Sequence, residues 1–230
     1  MSEITTGLII VDAQRGFMPA SEGTRLQMGG FGELGIEGGE TIVSPINRLT
    51  HAFQKYSGHI ATTQDWHPLT TAHFSNNPNY VTSWPVHCVG NTTGAELHPE
   101  LLVAQDPQLA QRFIKGDKVA LTPEDDTSYT GALAYNPLNG ETLPEWMHRK
   151  KLQGALVVGL ALGDGAKHPL CVDSTAIDLH DAGFTITVIK DAVEAVVPQN
   201  RNICFENLEK RGITIATTGQ ALATIANKEQ

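Results

Sequence analysis

Short apolar runs alternate along this chain with stretches of helical period. The run GLIIVDA (7–13) is uniformly apolar up to its closing Asp12 and predicts a strand buried on both faces. GALVVGLAL (154–162) reads the same way, and HIATTQD (59–65), QRFIKG (111–116), FTITVIKDA (184–192) and GITIATT (212–218) read as further strands. Between them, residues 41–56 place Ile42, Ile46, Leu49, Phe53 and Tyr56 three to four apart, the spacing of an amphipathic helix. Residues 171–183, closed by Gly183, predict another helix, and 199–211 and 220–227 two more. This alternation predicts an α/β fold of three layers, αβα, with a mostly parallel sheet. Residues 18–40, 66–93 and 117–143 break the pattern and read as long surface loops. No stretch reads as a linker, so one domain is expected over 1–230.

Ligands of open α/β sheets sit at the carboxyl ends of the strands. That rule selects Asp12, Asp65, Lys115 and the loop that ends at Cys171. Asp65 also begins a dense cluster of chemistry, "DWHPLTTAHFSNNPNYVTSWPVHC". Asp65 and His67 stand two apart and project to one side of an extended segment. His73 and His87 are within loop reach. An Asp with two or three His suits zinc, iron or manganese; the competing reading is a polar loop with solvated imidazoles. Trp66 and Trp84 serve as core anchors or as clamps for a flat ring. His51 and His98 read as surface residues.

Cys171 opens a predicted helix, where the dipole and free N–H groups favour a thiolate. Packing is the competing reading, and it is the one expected for Cys88 and Cys204. No histidine stands out as a partner for Cys171. Asp12 is a candidate proton acceptor, with Lys115 as the cation that holds it, in preference to Lys118 farther into the loop.

Composition narrows the partners. The 230 residues carry a net charge of −9, unsuited to nucleic acid or an anionic membrane. No apolar run approaches the ~20 residues of a membrane span. The N-terminus shows no secretory signal pattern. Three widely spaced cysteines argue for a reducing compartment, the cytoplasm. A homo-oligomer is left open.

Several segments then resemble one family. These are IIVDAQRGFMP, QDWHP, SWPVHCVGNTTGAELHPEL, FIKG and, more loosely, DDTSY, with VVGLAL followed by LCVDSTAIDLHDAGF. Together they resemble the nicotinamidases (pyrazinamidases) of the isochorismatase-like cysteine hydrolase superfamily, over most of residues 7–218. The resemblance implies the isochorismatase-like fold and hydrolysis of nicotinamide to nicotinate and ammonia through a thioester. It implies Asp12, Lys115 and Cys171 as catalytic residues. Asp65, His67 and His87, with His73 as a further candidate, would hold one divalent metal, zinc first, with iron or manganese as alternatives. Phe17 and Trp84 match the positions that sandwich the pyridine ring. Ala161, after a cis peptide, matches one amide of the oxyanion hole, the Cys amide being the other. One departure stands out: LGDGAKHPL, residues 162–170, separates Ala161 from Cys171 where the family has three residues. Its Gly, Pro and Asp content predicts an outward bulge that keeps Lys167 and His168 away from Cys171. The alternatives are an amidase of the same superfamily acting on another small amide, and a metal-binding homologue without catalysis.

Overall fold

The computed structural model describes residues 5–166 and 168–227. Its frame is one sheet of six parallel strands: β1 (Thr6–Val11), β2 (Ile60–Asp65), β3 (Gln111–Lys115), β4 (Gly154–Leu162), β5 (Thr185–Ala195) and β6 (Thr214–Ala216). Their order is β3-β2-β1-β4-β5-β6, and every pairing is parallel. The seven α-helices among the described residues are α1 (Ala20–Leu26), α2 (Val43–Lys55), α3 (Leu102–Gln105), α4 (Leu143–Arg149), α5 (Cys171–Asp181), α6 (Arg201–Lys210) and α7 (Thr218–Asn227).

The uniformly apolar strands are explained by the two layers that cover them. In β1, Leu8 and Ile10 join one core with Ile46, Leu49 and Phe53 of α2 and Ala221 and Ile225 of α7. Ile9 and Val11 face the other way, into a core with Trp146 of α4, Val172 and Leu179 of α5 and Leu208 of α6. β4 splits identically, Leu156 and Val158 to one side and Ala155 and Val157 to the other. Alternating side chains of a strand point to opposite faces, so a strand covered twice is apolar at every position. Each fully buried Leu, Ile or Phe contributes roughly 1.5–3 kcal/mol.

Two expectations are corrected. The Gly-rich segment 18–40 is not without regular structure: it holds α1, in which Arg25 pairs with Glu22 at 2.5 Å. His98 is not a surface residue. It is fully buried, because Glu22 of α1 reaches its Nε2 at 3.2 Å and the Phe31 ring stands edge-on to it. Both errors have one cause, since a short helix pinned by tertiary contacts leaves little periodicity to read. None of the helices described is long and apolar enough to cross a membrane.

The order of strands reverses direction between β1 and β4. Parallel sheets open a crevice at that point, beyond the carboxyl ends. Asp12 follows the end of β1, and Cys171 follows the loop after β4.

Candidate active site

Register brings the charged groups together. In the β2–β3 pairing Asp65 lies opposite Lys115, and in the β1–β2 pairing Val11 lies opposite Thr63, which leaves Asp12 just past the strand end. Asp12 has a positive φ of 44°, turning its side chain into the crevice; Asp tolerates this left-handed conformation better than most residues. The Lys115 ammonium lies 2.8 Å from Asp12 Oδ2 and also bonds Asp65 and the Ser128 carbonyl. Lys115, and not Lys118, therefore meets Asp12. Its Nζ is 3.5 Å from the Cys171 sulfur. That sulfur and one oxygen each of Asp12 and Asp65 lie within 4.8 Å of one another.

All four groups are buried, and burial sets their protonation. It pushes Asp12 up, more than the Lys115 charge pulls it down, with Asp65 adding a like charge. Asp65 is raised by burial too, but Lys115 and the nearby imidazoles outweigh this and hold it below the usual carboxylate range. Lys115 loses by burial and gains more from the two carboxylates, so it stays an ammonium. Cys171 is pushed well above the ordinary thiol value by burial, against Lys115, with both carboxylates opposing a thiolate as well. The helix start alone favours a thiolate; burial of the sulfur, with the anions beside it, reverses that expectation. The resting group is a neutral thiol beside a carboxylate that can accept its proton.

The histidines converge next to this group. One ring nitrogen each of His67, His73 and His87 fall within 4.8 Å of one another, all three side chains being buried. Each Nδ1 has an oxygen partner: the Gly116 carbonyl for His67 (3.2 Å), Asp126 Oδ2 for His73 (2.8 Å) and the Pro85 carbonyl for His87 (2.7 Å). The contacts of His67 and His87 are hydrogen bonds that fix the tautomer and leave those two Nε2 lone pairs free for a metal, whereas the His73–Asp126 contact lacks hydrogen-bond geometry. His67 Nε2 and His87 Nε2 stand 3.6 and 3.9 Å from Asp65 Oδ2. His67 Nε2 is buried with no hydrogen-bond partner, an orphan that a cation would satisfy. Burial, then the neighbouring imidazoles, push His87 down to about 3, the neutral form a metal requires. The donor set, three imidazoles and one carboxylate, fits a divalent transition metal.

Both groups open into one cavity of about 330 Å³. Phe17 and Trp84 line it, as do Ala161, Leu170 and Cys171. The Leu160–Ala161 peptide is cis. The segment after Leu162 turns outward: Ala166 and Pro169 are exposed, and His168 lines a different surface cavity with Asp164 and Cys204. Lys167 lies outside the described residues.

Sequence reasoning missed several supports. Gln14 donates to the Asp65 and Ala95 carbonyls (2.8 and 2.9 Å) and accepts from the Asp65 N–H (2.9 Å), clamping the end of β2. Thr63 donates to Asp12 at 2.7 Å. Asp126 orients His73, and Tyr129 accepts from the Trp84 indole at 2.8 Å. Asp126 and Tyr129 fall within DDTSY, which the family resemblance had marked without giving either residue a role.

Comparison with known proteins places this geometry. The profile of the isochorismatase domain matches residues 6–115 and 119–220. A nicotinamidase of Escherichia coli is 27% identical over 224 residues, covering 91% of this chain and 93% of that protein. A nicotinamidase/pyrazinamidase of Mycobacterium tuberculosis is 29% identical over 211 residues, covering 90% and 96%. A pyrazinamidase of Pyrococcus horikoshii, solved in complex with zinc, superposes with a TM-score of 0.70 at 27% identity, over 93% of this chain and 99% of that one.

Proposed function

We infer that this chain, which belongs to the isochorismatase family, is a single-domain, metal-containing nicotinamidase that hydrolyses nicotinamide to nicotinate and ammonia. The observation that carries the reading is the joint one: a buried Asp12–Lys115–Cys171 group adjoins a cluster of three histidines with Asp65, and Cys171, Asp65, His73 and His87 line one cavity. The free, buried cysteines fit a reducing compartment, the cytoplasm.

Asp65, His67, His73 and His87 would hold one divalent ion, zinc by the likeness to the Pyrococcus horikoshii protein. When bound, it supplies a Lewis-acid contact for the pyridine nitrogen and so orients the ring. Phe17 and Trp84 confine the ring from the cavity walls, leaving its carboxamide beside Cys171. Asp12 takes the Cys171 proton as sulfur attacks the carboxamide carbon. The C–S bond forms, and the C=O pair moves onto oxygen, facing the amides of Ala161 and Cys171. The pair returns, the C–N bond breaks, and Asp12 passes its proton to the departing nitrogen, releasing ammonia. A water then gives its proton to Asp12 and attacks the thioester. The C–S bond breaks, nicotinate leaves, and the sulfur regains its proton. Lys115 keeps Asp12 placed and offsets its charge throughout.

Ammonia release from nicotinamide, measured with and without a chelator, tests the reading. Release that the chelator abolishes and added zinc restores is the expected result. No release from nicotinamide, with release from another small carboxamide, would transfer the site to a different amidase.

A further inference from the structure

The residues joining β4 to α5 are tied at two levels. The outer part is fastened to itself and to α6: Asp164 accepts from Ala166 N at 2.8 Å and His168 N at 3.2 Å, while Asn200 and Asn207 donate to the Asp164 and Gly165 carbonyls at 2.7 and 2.9 Å. The neck is closed by Asp173, the third residue of α5. Both its carboxylate oxygens lie 3.0 Å from the Gly163 N–H, and Oδ1 also accepts from Leu170 N at 3.2 Å. Its side chain is buried.

The bond to Leu170 is an ordinary cap of the helix start. The bonds to Gly163 are not part of any cap, because they cross to the end of the neighbouring strand. What lies next to each bond gives them a consequence. Gly163 is two residues beyond Ala161, and Leu170 directly precedes Cys171. Ala161, Leu170 and Cys171 all line the catalytic cavity. A connection of eight residues, 163–170, does not by itself hold its two ends at one separation. A buried carboxyl group receiving N–H groups from both ends does, since such bonds are shielded from water. Gly163 also packs so tightly on the His168 carbonyl that a side chain there would collide with it.

We propose that Asp173 is a positioning residue: its carboxylate holds the strand end at Gly163 against the helix start at Leu170, and so sets the separation of the Ala161 and Cys171 amides that receive the oxyanion. This rests on the reading of the site as a cysteine amidase.

The test compares Asp173→Ala and Asp173→Asn with Asp164→Ala, which loosens the outer loop alone. For each, kcat and KM for nicotinamide, zinc content, thermal midpoint and the rate of Cys171 alkylation by iodoacetamide are measured. Misplacing one oxyanion donor predicts a kcat loss of roughly 100-fold in Asp173→Ala, with KM and zinc content within about twofold of wild type. Asp173→Asn keeps one acceptor oxygen and loses about tenfold. Asp164→Ala stays within about twofold in kcat even where its midpoint falls as far. A kcat in Asp173→Ala within twofold of wild type would overturn the proposal, as would equal kcat losses in Asp164→Ala and Asp173→Ala at equal midpoints. If Asp173→Ala does not fold, the same limits apply to Asp173→Asn. If the wild type releases no ammonia from nicotinamide, the substrate reading fails by itself, and alkylation decides Asp173. A rate changed about fivefold or more supports the clamp, because the thiol has moved relative to the helix start, and equal rates refute it.

Discussion

Asp12, Asp65 and Lys115 sit at or just past strand ends, while His73 and His87 sit on the long segment between β2 and α3. The first group is placed by register. Once β1, β2 and β3 pair in parallel, Asp65 must face Lys115 and Asp12 must stand one step away. The histidines have no ladder to place them and rely on local hydrogen bonds. Asn79 Oδ1 accepts from the N–H groups of Val81, Thr82 and Ser83 at 2.9, 2.9 and 3.0 Å. Ser75 N and Trp84 N bond the Trp84 and His73 carbonyls, each at 2.9 Å, and Glu33 accepts from Cys88 N at 2.8 Å. The strand-end groups are over-determined by the core and can carry buried charge. The loop groups are imidazoles whose precision depends on a few side chains. Changes in the two regions should therefore fail differently.

Removing the Cys171 thiol, the proposed nucleophile, separates the regions most sharply. Cys171→Ala is expected to lower ammonia release by about 10⁴-fold or more while zinc content stays at the wild-type level. Activity that survives would break the covalent mechanism. Lys115→Met leaves Asp12 and Asp65 buried without their cation, and is expected to cost about 3–5 kcal/mol in denaturant unfolding. A loss under ~1 kcal/mol would mean that register alone holds this half.

On the loop side, Asp126→Ala frees the His73 ring and is expected to weaken zinc binding about 10–100-fold with the strand-end groups intact, as read by chelator competition. The strand-end half also sets the pH response. Asp12 must be ionised to accept the thiol proton, and burial raises its pKa. The acid limb of kcat/KM is therefore expected above the usual carboxylate value of about 4, with activity falling about tenfold per pH unit below it. A limb at or under that value would show that Asp12 is not the base. The smallest effect is expected for Tyr129→Phe, which removes the acceptor of the Trp84 indole and the donor to the Val81 carbonyl. The cost is about 0.5–1.5 kcal/mol of stability and a rise of a few fold in KM at nearly constant kcat. Calorimetry and initial rates read both.

The strands, the parallel topology and the group Asp12, Lys115 and Cys171 could be reached from the order of residues alone. Their signal is local: an apolar run is a buried strand wherever it occurs, and a polar residue at its end is delivered to the sheet edge. The histidine cluster was legible as a concentration of ligands, but not as a geometry. Which nitrogen His67 and His87 offer was decided by the carbonyls of Gly116, remote in sequence, and Pro85, hidden in a loop. The protonation of Cys171 was likewise beyond the sequence. A helix start argues for a thiolate, and the packing that buried the sulfur, and set two carboxylates beside it, turned the balance. His98 and Asp173 make the same point, since a buried polar residue has no periodicity of its own. The chain encodes its strands through short-range patterns. The electrostatics of the site arise from groups dozens of residues apart, brought within a few ångströms by folding.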